Sequence, residues 1–288
     1  MSFRSLSEIL KQSEKKQKAF WEIIVEDDMT ERQVSKEDSF SKMNTMYQAM
    51  RDADLSYNAS LRSASGLVGG DGEKLICAMK SQSLFCSDFL CRVMARAIKM
   101  GESNACMRRI VAAPTAGSCG VLPAVLLTCE EERHFSSQKM LESLFVAAGI
   151  GEVIASRAFI SGAEGGCQAE IGSASAMAAG AVAYLNGGDN DAIVNACALA
   201  LKNLLGLACD PIAGLVEVPC VKRNMLGAVN AITSADLAIS GIRSVIPADE
   251  VIDAMRDIGI HMPRSLRETG EGGLAATPTG IEIANRLL

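Results

Sequence analysis

Ten cysteines stand in a chain of 288 residues that holds only two histidines. A chain without an export signal stays in the cytosol, where thiols are kept reduced, so disulfides do not account for them. Their surroundings divide them. Cys77, Cys86, Cys91, Cys106, Cys129 and Cys197 fall within or beside apolar, helix-forming stretches, where a free cysteine behaves as a small core-filling hydrophobe. Cys119, Cys167, Cys209 and Cys220 instead occupy turns rich in glycine and proline: Gly117-Ser118-Cys119-Gly120, Gly165-Gly166-Cys167, Cys209-Asp210-Pro211 and Val218-Pro219-Cys220. Such turns bend the backbone so that thiolates can converge, and their bare N–H groups can hydrogen-bond the sulfurs of a bound cluster.

The kind of metal follows from what is missing. With two histidines and no Cys-x-x-Cys pair, a zinc finger or ribbon is disfavoured. The tight cysteine run of a ferredoxin is absent too, which speaks against electron transfer. An iron–sulfur cluster on widely spaced cysteines remains, against the plainer alternative that all ten are packing residues. His134, after Glu130-Glu131-Glu132-Arg133, reads as a solvated loop residue, and His261, before Met262-Pro263-Arg264, as a surface cap at a helix end. Lys222-Arg223-Asn224, directly after Cys220, suits a substrate carboxylate, or else is only a solvated helix start.

The elements that must hold these loops read as helical. Aromatic residues make up 4% of the chain while Ala, Leu, Met and Glu abound, and apolar residues seldom alternate with polar ones, so helix is favoured over strand. Residues 1–55 are polar and read as a peripheral helical layer, with a capping box at Thr30 to Gln33 opening a helix through Met50. A flexible glycine-rich loop at residues 63–72 precedes a helix at about 85–99. Further helices are expected at roughly 121–130, 139–158, 172–185, 189–206, 225–241 and 249–259. Between them lie the irregular segments 113–120, 161–166, 209–219 and 262–280, the kind of loop on which chemistry usually sits. The expected architecture is all-α: a single compact helical domain over residues 1–288, its Gly/Pro-rich loops converging on the cluster site.

A net charge of −6 offers no basic stripe for nucleic acid. Residues 110–129 and 171–188 are free of charge for nearly a bilayer's span, but their Gly, Pro, Ser and Ala content favours helices buried in a large core over a membrane segment. The first 15 residues carry scattered charge and no signal-peptide pattern, so a cytoplasmic location is expected.

Three runs carry a resemblance. Ala113-Pro114-Thr115-Ala116-Gly117-Ser118-Cys119-Gly120, Ala163-Glu164-Gly165-Gly166-Cys167-Gln168-Ala169-Glu170, and Leu205-Gly206-Leu207-Ala208-Cys209-Asp210-Pro211 through Val218-Pro219-Cys220-Val221-Lys222-Arg223-Asn224 together resemble the iron–sulfur-dependent L-serine dehydratases, in particular the α subunit of the two-chain type. The likeness extends to Leu266-Arg267-Glu268-Thr269 and Gly272-Gly273-Leu274-Ala275. It implies a [4Fe–4S] cluster on Cys167, Cys209 and Cys220, with Cys119 in a neighbouring motif but not a ligand. Three ligands for four irons leave one iron open, as a Lewis-acid catalyst requires. The implied reaction is dehydration and deamination of L-serine to pyruvate and ammonia, serving gluconeogenesis.

Lys222, Arg223 and Asn224 are then candidates for the substrate carboxylate, and Ser63, Ser65, Thr115 and Ser118 for its amino and carboxylate groups. No catalytic base is identified. The resemblance implies a separate β subunit that would carry the Ser-Ser-His-Thr-type segment of the single-chain enzymes and could supply the base. This chain ends Arg286-Leu287-Leu288 rather than in the cysteine that occupies the open iron of some relatives, so self-inhibition is not expected. A pyridoxal phosphate enzyme would need a Schiff-base lysine and a phosphate cradle, for which Lys74 and the glycines at 66–72 are poor material without alternating strands and helices. A non-catalytic cluster protein would take Cys119 as a fourth ligand.

Overall fold

The computed structural model describes residues 2–81 and 84–287. Met1 and Leu288, the ends of the expected domain, lie outside the described residues. Among those described, thirteen α-helices follow one another and no strand occurs. The first three are α1 (Leu6–Lys16), α2 (Phe20–Arg32) and α3 (Lys36–Leu55). The capping box expected at Thr30 to Gln33 is not there. Those residues form the last turn of α2, which ends where Gln33 turns left-handed at φ 54°. The box lies five residues further on: the Ser35 hydroxyl accepts from Asp38 N, and Asp38 accepts from Ser35 N in return.

These three helices bury Leu6, Ile9, Phe20, Ile23, Ile24, Tyr47 and Met50 in the same core as the rest of the chain. Next come α4 (Asp71–Ser81) and α5 (Asp88–Ala105). α4 follows the glycine-rich run directly, in a stretch where no helix was expected. Its start is held from another helix: Glu102 of α5, itself buried, accepts hydrogen bonds from Asp71 N (2.6 Å) and Gly72 N (3.4 Å) and from the Tyr57 hydroxyl (2.7 Å). A carboxylate there satisfies amides that have no partner inside the helix and complements its dipole.

The core is built from α6 (Val121–Arg133), α7 (Ser137–Arg157), α9 (Ser173–Leu185), α10 (Asn190–Lys202) and α11 (Cys220–Ile239), with α12 (Ala248–His261) closing one side. α9 is the central helix and packs against α6, α7, α10 and α11. All its residues but Tyr184 are buried, so it needs no polar face. Its small residues let neighbours approach closely: a Cβ on Gly180 would lie 2.2 Å from Ile150 Cδ1 of α7. The charge-poor segments 110–129 and 171–188 thus become a loop with α6, and a π-turn with α9. Among the described residues, no helix is long and apolar enough to cross a membrane.

The short α8 (Gly162–Gly165) and the C-terminal α13 (Pro278–Leu287) complete the set. The six cysteines expected in the core divide. Cys91, Cys129 and Cys197 are buried, whereas Cys77 and Cys86 are exposed and Cys106 is half-buried. The latter three lie on α4, before the Ser87 cap of α5 and at the C-cap of α5, at the molecule's margin. Both histidines lie at helix ends on the surface: His134 is the C-cap of α6 at φ 53°, and His261, the last residue of α12, has Nδ1 2.9 Å from Asp257 O.

Candidate active site

Cys167, Cys209 and Cys220 are all buried, in or beside irregular segments. Cys167 lies between α8 and a π-helical turn, Gln168–Gly172, that leads into α9, and such bulges recur at functional sites. Cys209 lies on the connection after α10, its backbone paired with the C-terminal loop: Cys209 N donates to Leu266 O (2.8 Å) and Glu268 N donates to Cys209 O (2.7 Å). Cys220 is the first residue of α11.

Buried amides fix these segments to one another. Gln168 donates from Nε2 to Gly165 O (2.9 Å) and Met255 O (3.1 Å), and its Oε1 accepts from Gly206 N (2.9 Å). One side chain therefore ties the Cys167 turn to α12 and to the approach to Cys209. Asn224 does the same for Cys220 and the Cys119 loop, donating to Cys220 O (3.0 Å) and Gly117 O (2.8 Å) and accepting from Gly120 N (2.8 Å).

The thiols meet electrostatically. Cys167, Cys209, Cys220 and Arg223 act on one another's charge. Cys209, with help from Arg223, holds the Cys167 thiol below its ordinary range despite its burial. Cys167, with burial added, pushes Cys209 up. Cys220 is pushed up to about 12, chiefly by burial and then by the charge of Cys167 and Glu170, so desolvation outweighs the favourable helix N-terminus. Cys119 is equally buried but turns away: its thiol faces Met100 O of α5 at 3.7 Å, and burial raises it to about 12.

Among the described residues, no three or more His, Cys, Asp and Glu side chains close to the spacing of one metal ion. A cubane binds each thiolate through a different iron, so its ligands stand further apart than those around a single ion. Three buried thiols on two loops and a helix start, segments that Gln168 and Arg223 bond to one another, fit such a group.

The other residues singled out by the sequence are placed as follows. Thr115 Oγ1 donates to Glu170 Oε1 (2.7 Å) and lies 3.1 Å from Ser118 Oγ, which puts both beside the cysteines. Ser63 and Ser65 both donate to the buried carboxylate of Glu217, Ser63 at 2.8 Å, three residues before Cys220. Lys222 is exposed and pairs with Asp71 (3.0 Å). Arg223 is committed inside the protein, donating to Ala208 O (2.7 Å) and to buried Asp210 (2.8 Å). The amide of Asn224 is used up on backbone groups.

Two carboxylates were not singled out. A Cβ on Gly162 would lie 2.8 Å from Cys209 Sγ, 2.9 Å from Glu170 Oε2 and 3.2 Å from Glu268 Oε2, so both glutamates crowd the thiol's side of that glycine. Burial pushes the Glu170 carboxyl up, opposed by Thr115 and reinforced by Glu268. The signal was present in the sequence: Glu170 stands at the edge of the uncharged stretch 171–188, where a charge must be enclosed by partners.

The sequence model of the serine dehydratase alpha chain family matches residues 15–275. The chain is 45% identical over 285 residues to the probable L-serine dehydratase, alpha chain, of Bacillus subtilis, covering 99% of this chain and 95% of that one. It is 40% identical over 269 residues to the L-serine dehydratase, alpha chain, of Peptoniphilus asaccharolyticus, covering 93% and 92%. The L-serine dehydratase of Helicobacter pylori is 42% identical over 186 residues, which are 64% of this chain but 40% of that longer protein. With the family's sequence pattern running through all three cysteine-bearing segments, the chain belongs to the serine dehydratase alpha chain family.

Proposed function

We propose that this chain is the α subunit of an L-serine dehydratase, that Cys167, Cys209 and Cys220 hold a [4Fe–4S] cluster, and that it converts L-serine to pyruvate and ammonia with a separate β subunit. The observation that carries the reading is that three buried cysteines stand on segments bonded to one another, the Cys167 turn to the approach to Cys209 through Gln168 and the Cys220 helix to the flanks of Cys209 through Arg223, while Cys119 faces α5. When bound, the cluster supplies an iron without a protein thiolate, a Lewis acid for the departing β-hydroxyl.

The chain's own groups do the positioning. Glu170, oriented by Thr115 and backed by Glu268, presents a carboxylate to the substrate ammonium. Thr115 and Ser118 offer hydroxyls on the same wall. Lys222, exposed and paired only with Asp71 at the end of the glycine-rich loop, is the cation left for the substrate carboxylate, with Ser63 and Ser65 on that loop's other end. Asn224 positions Cys220 rather than the substrate. Removal of the α-proton falls to a base from the β subunit, and the resulting aminoacrylate tautomerises and hydrolyses to pyruvate and ammonia.

The test is replacement of each cysteine by serine in the αβ complex, purified without oxygen. Cys167→Ser, Cys209→Ser and Cys220→Ser should each lose iron and pyruvate formation together. Full activity in any one of them sinks the three-ligand assignment.

A further inference from the structure

We infer that Arg223 is a positioning residue for the cluster, bonding the first turn of the Cys220 helix to both flanks of Cys209, and does not clamp the substrate. The inference rests on the proposed function above and concerns this chain's residues only. Arg223 lies on the first turn of α11, three residues after Cys220, and its side chain is only 15% exposed. Two of its donors are spent: Nη1 on Ala208 O (2.7 Å) and Nη2 on Asp210 Oδ1 (2.8 Å). Asp210 is fixed in turn, for its Oδ2 accepts from Leu274 N (2.8 Å) of the C-terminal loop.

The guanidinium is thus held on both flanks of Cys209. One side chain joins the segments of two of the cysteines: Cys220 through the helix it stands on, and Cys209 through the backbone and side chain next to it. A planar five-donor fork is suited to this arrangement and a single ammonium is not. Its charge, held near a cluster thiolate in a low-dielectric setting, stabilises the more negative, reduced state of the cluster and so raises its potential. A substrate clamp, by contrast, needs donors free to face the ligand.

The αβ complex carrying Arg223→Gln is compared with wild type by potentiometric titration followed by electron paramagnetic resonance, alongside KM for L-serine. The structure predicts a midpoint displaced to more negative potential, with KM less than about threefold changed while kcat falls. Arg223→Lys keeps the charge but cannot bond both flanks of Cys209, and should give a smaller displacement in the same direction. It also serves if the glutamine variant does not accept a cluster. A midpoint equal to wild type with KM raised about tenfold or more overturns the inference in favour of the clamp. Absence of iron from the wild-type complex would fail the underlying function, and is told apart because it appears before any variant is made.

Discussion

Replacement of Gly162 by alanine separates the site from the fold. The added methyl carbon would sit 2.8 Å from Cys209 Sγ, 2.9 Å from Glu170 Oε2 and 3.2 Å from Glu268 Oε2, where uncrowded contacts need about 3.5 Å or more. Something must move by roughly 0.5–1 Å. The Cys209 backbone is pinned by its pairing with Leu266 and Glu268, so the thiol moves by rotating off its preferred angle. That costs about 0.5–1.5 kcal/mol, within an overpacking range of about 1–3 kcal/mol. Gly162 opens α8 and Ala is the better helix former by about 0.5–1 kcal/mol. The net destabilisation is about 0–2.5 kcal/mol, which a folded chain tolerates. A thiol displaced by this much no longer matches its partners. Urea melts of the anaerobic αβ complex should therefore lie close to wild type while iron and sulfide per complex fall by more than half. Wild-type iron content with wild-type kcat/KM in Gly162→Ala would refute the placement of Cys209 at the cluster.

Three further outcomes follow from the same geometry. Cys119→Ser should keep its iron and most of its activity, since that thiol faces Met100 O; iron loss measured by chelator assay would restore the four-ligand alternative. Gln168→Ala leaves Gly165 O, Met255 O and Gly206 N without their partner, and urea unfolding should register a loss of about 3–5 kcal/mol. Glu170→Gln should retain the cluster's visible absorption but lower kcat/KM for L-serine about 10- to 100-fold, the worth of one charge-assisted hydrogen bond, and an unchanged value would remove Glu170 from substrate binding.

Much of this was legible in the sequence because local chemistry decided it. Glycine and proline near Cys167, Cys209 and Cys220 marked them as lying in or at the edges of turns, and the six core helices from Val121 onward announced themselves by composition. What escaped depends on contacts between distant segments. α4 begins where it does because Glu102, far along the chain, caps its amides, and nothing local at Asp71 reveals that. Arg223 looked like a free cation because its two partners lie on another turn. Cys77 and Cys86 were taken for core residues because an apolar neighbourhood in sequence does not say which face of a helix meets water.

The central claim is tested most directly by purifying the chain anaerobically together with its β subunit, measuring iron and sulfide, and assaying pyruvate from L-serine before and after exposure to air. About four irons and four sulfides per αβ pair, with activity that air abolishes, is the predicted result. Activity that persists in air in a complex without iron would contradict the account.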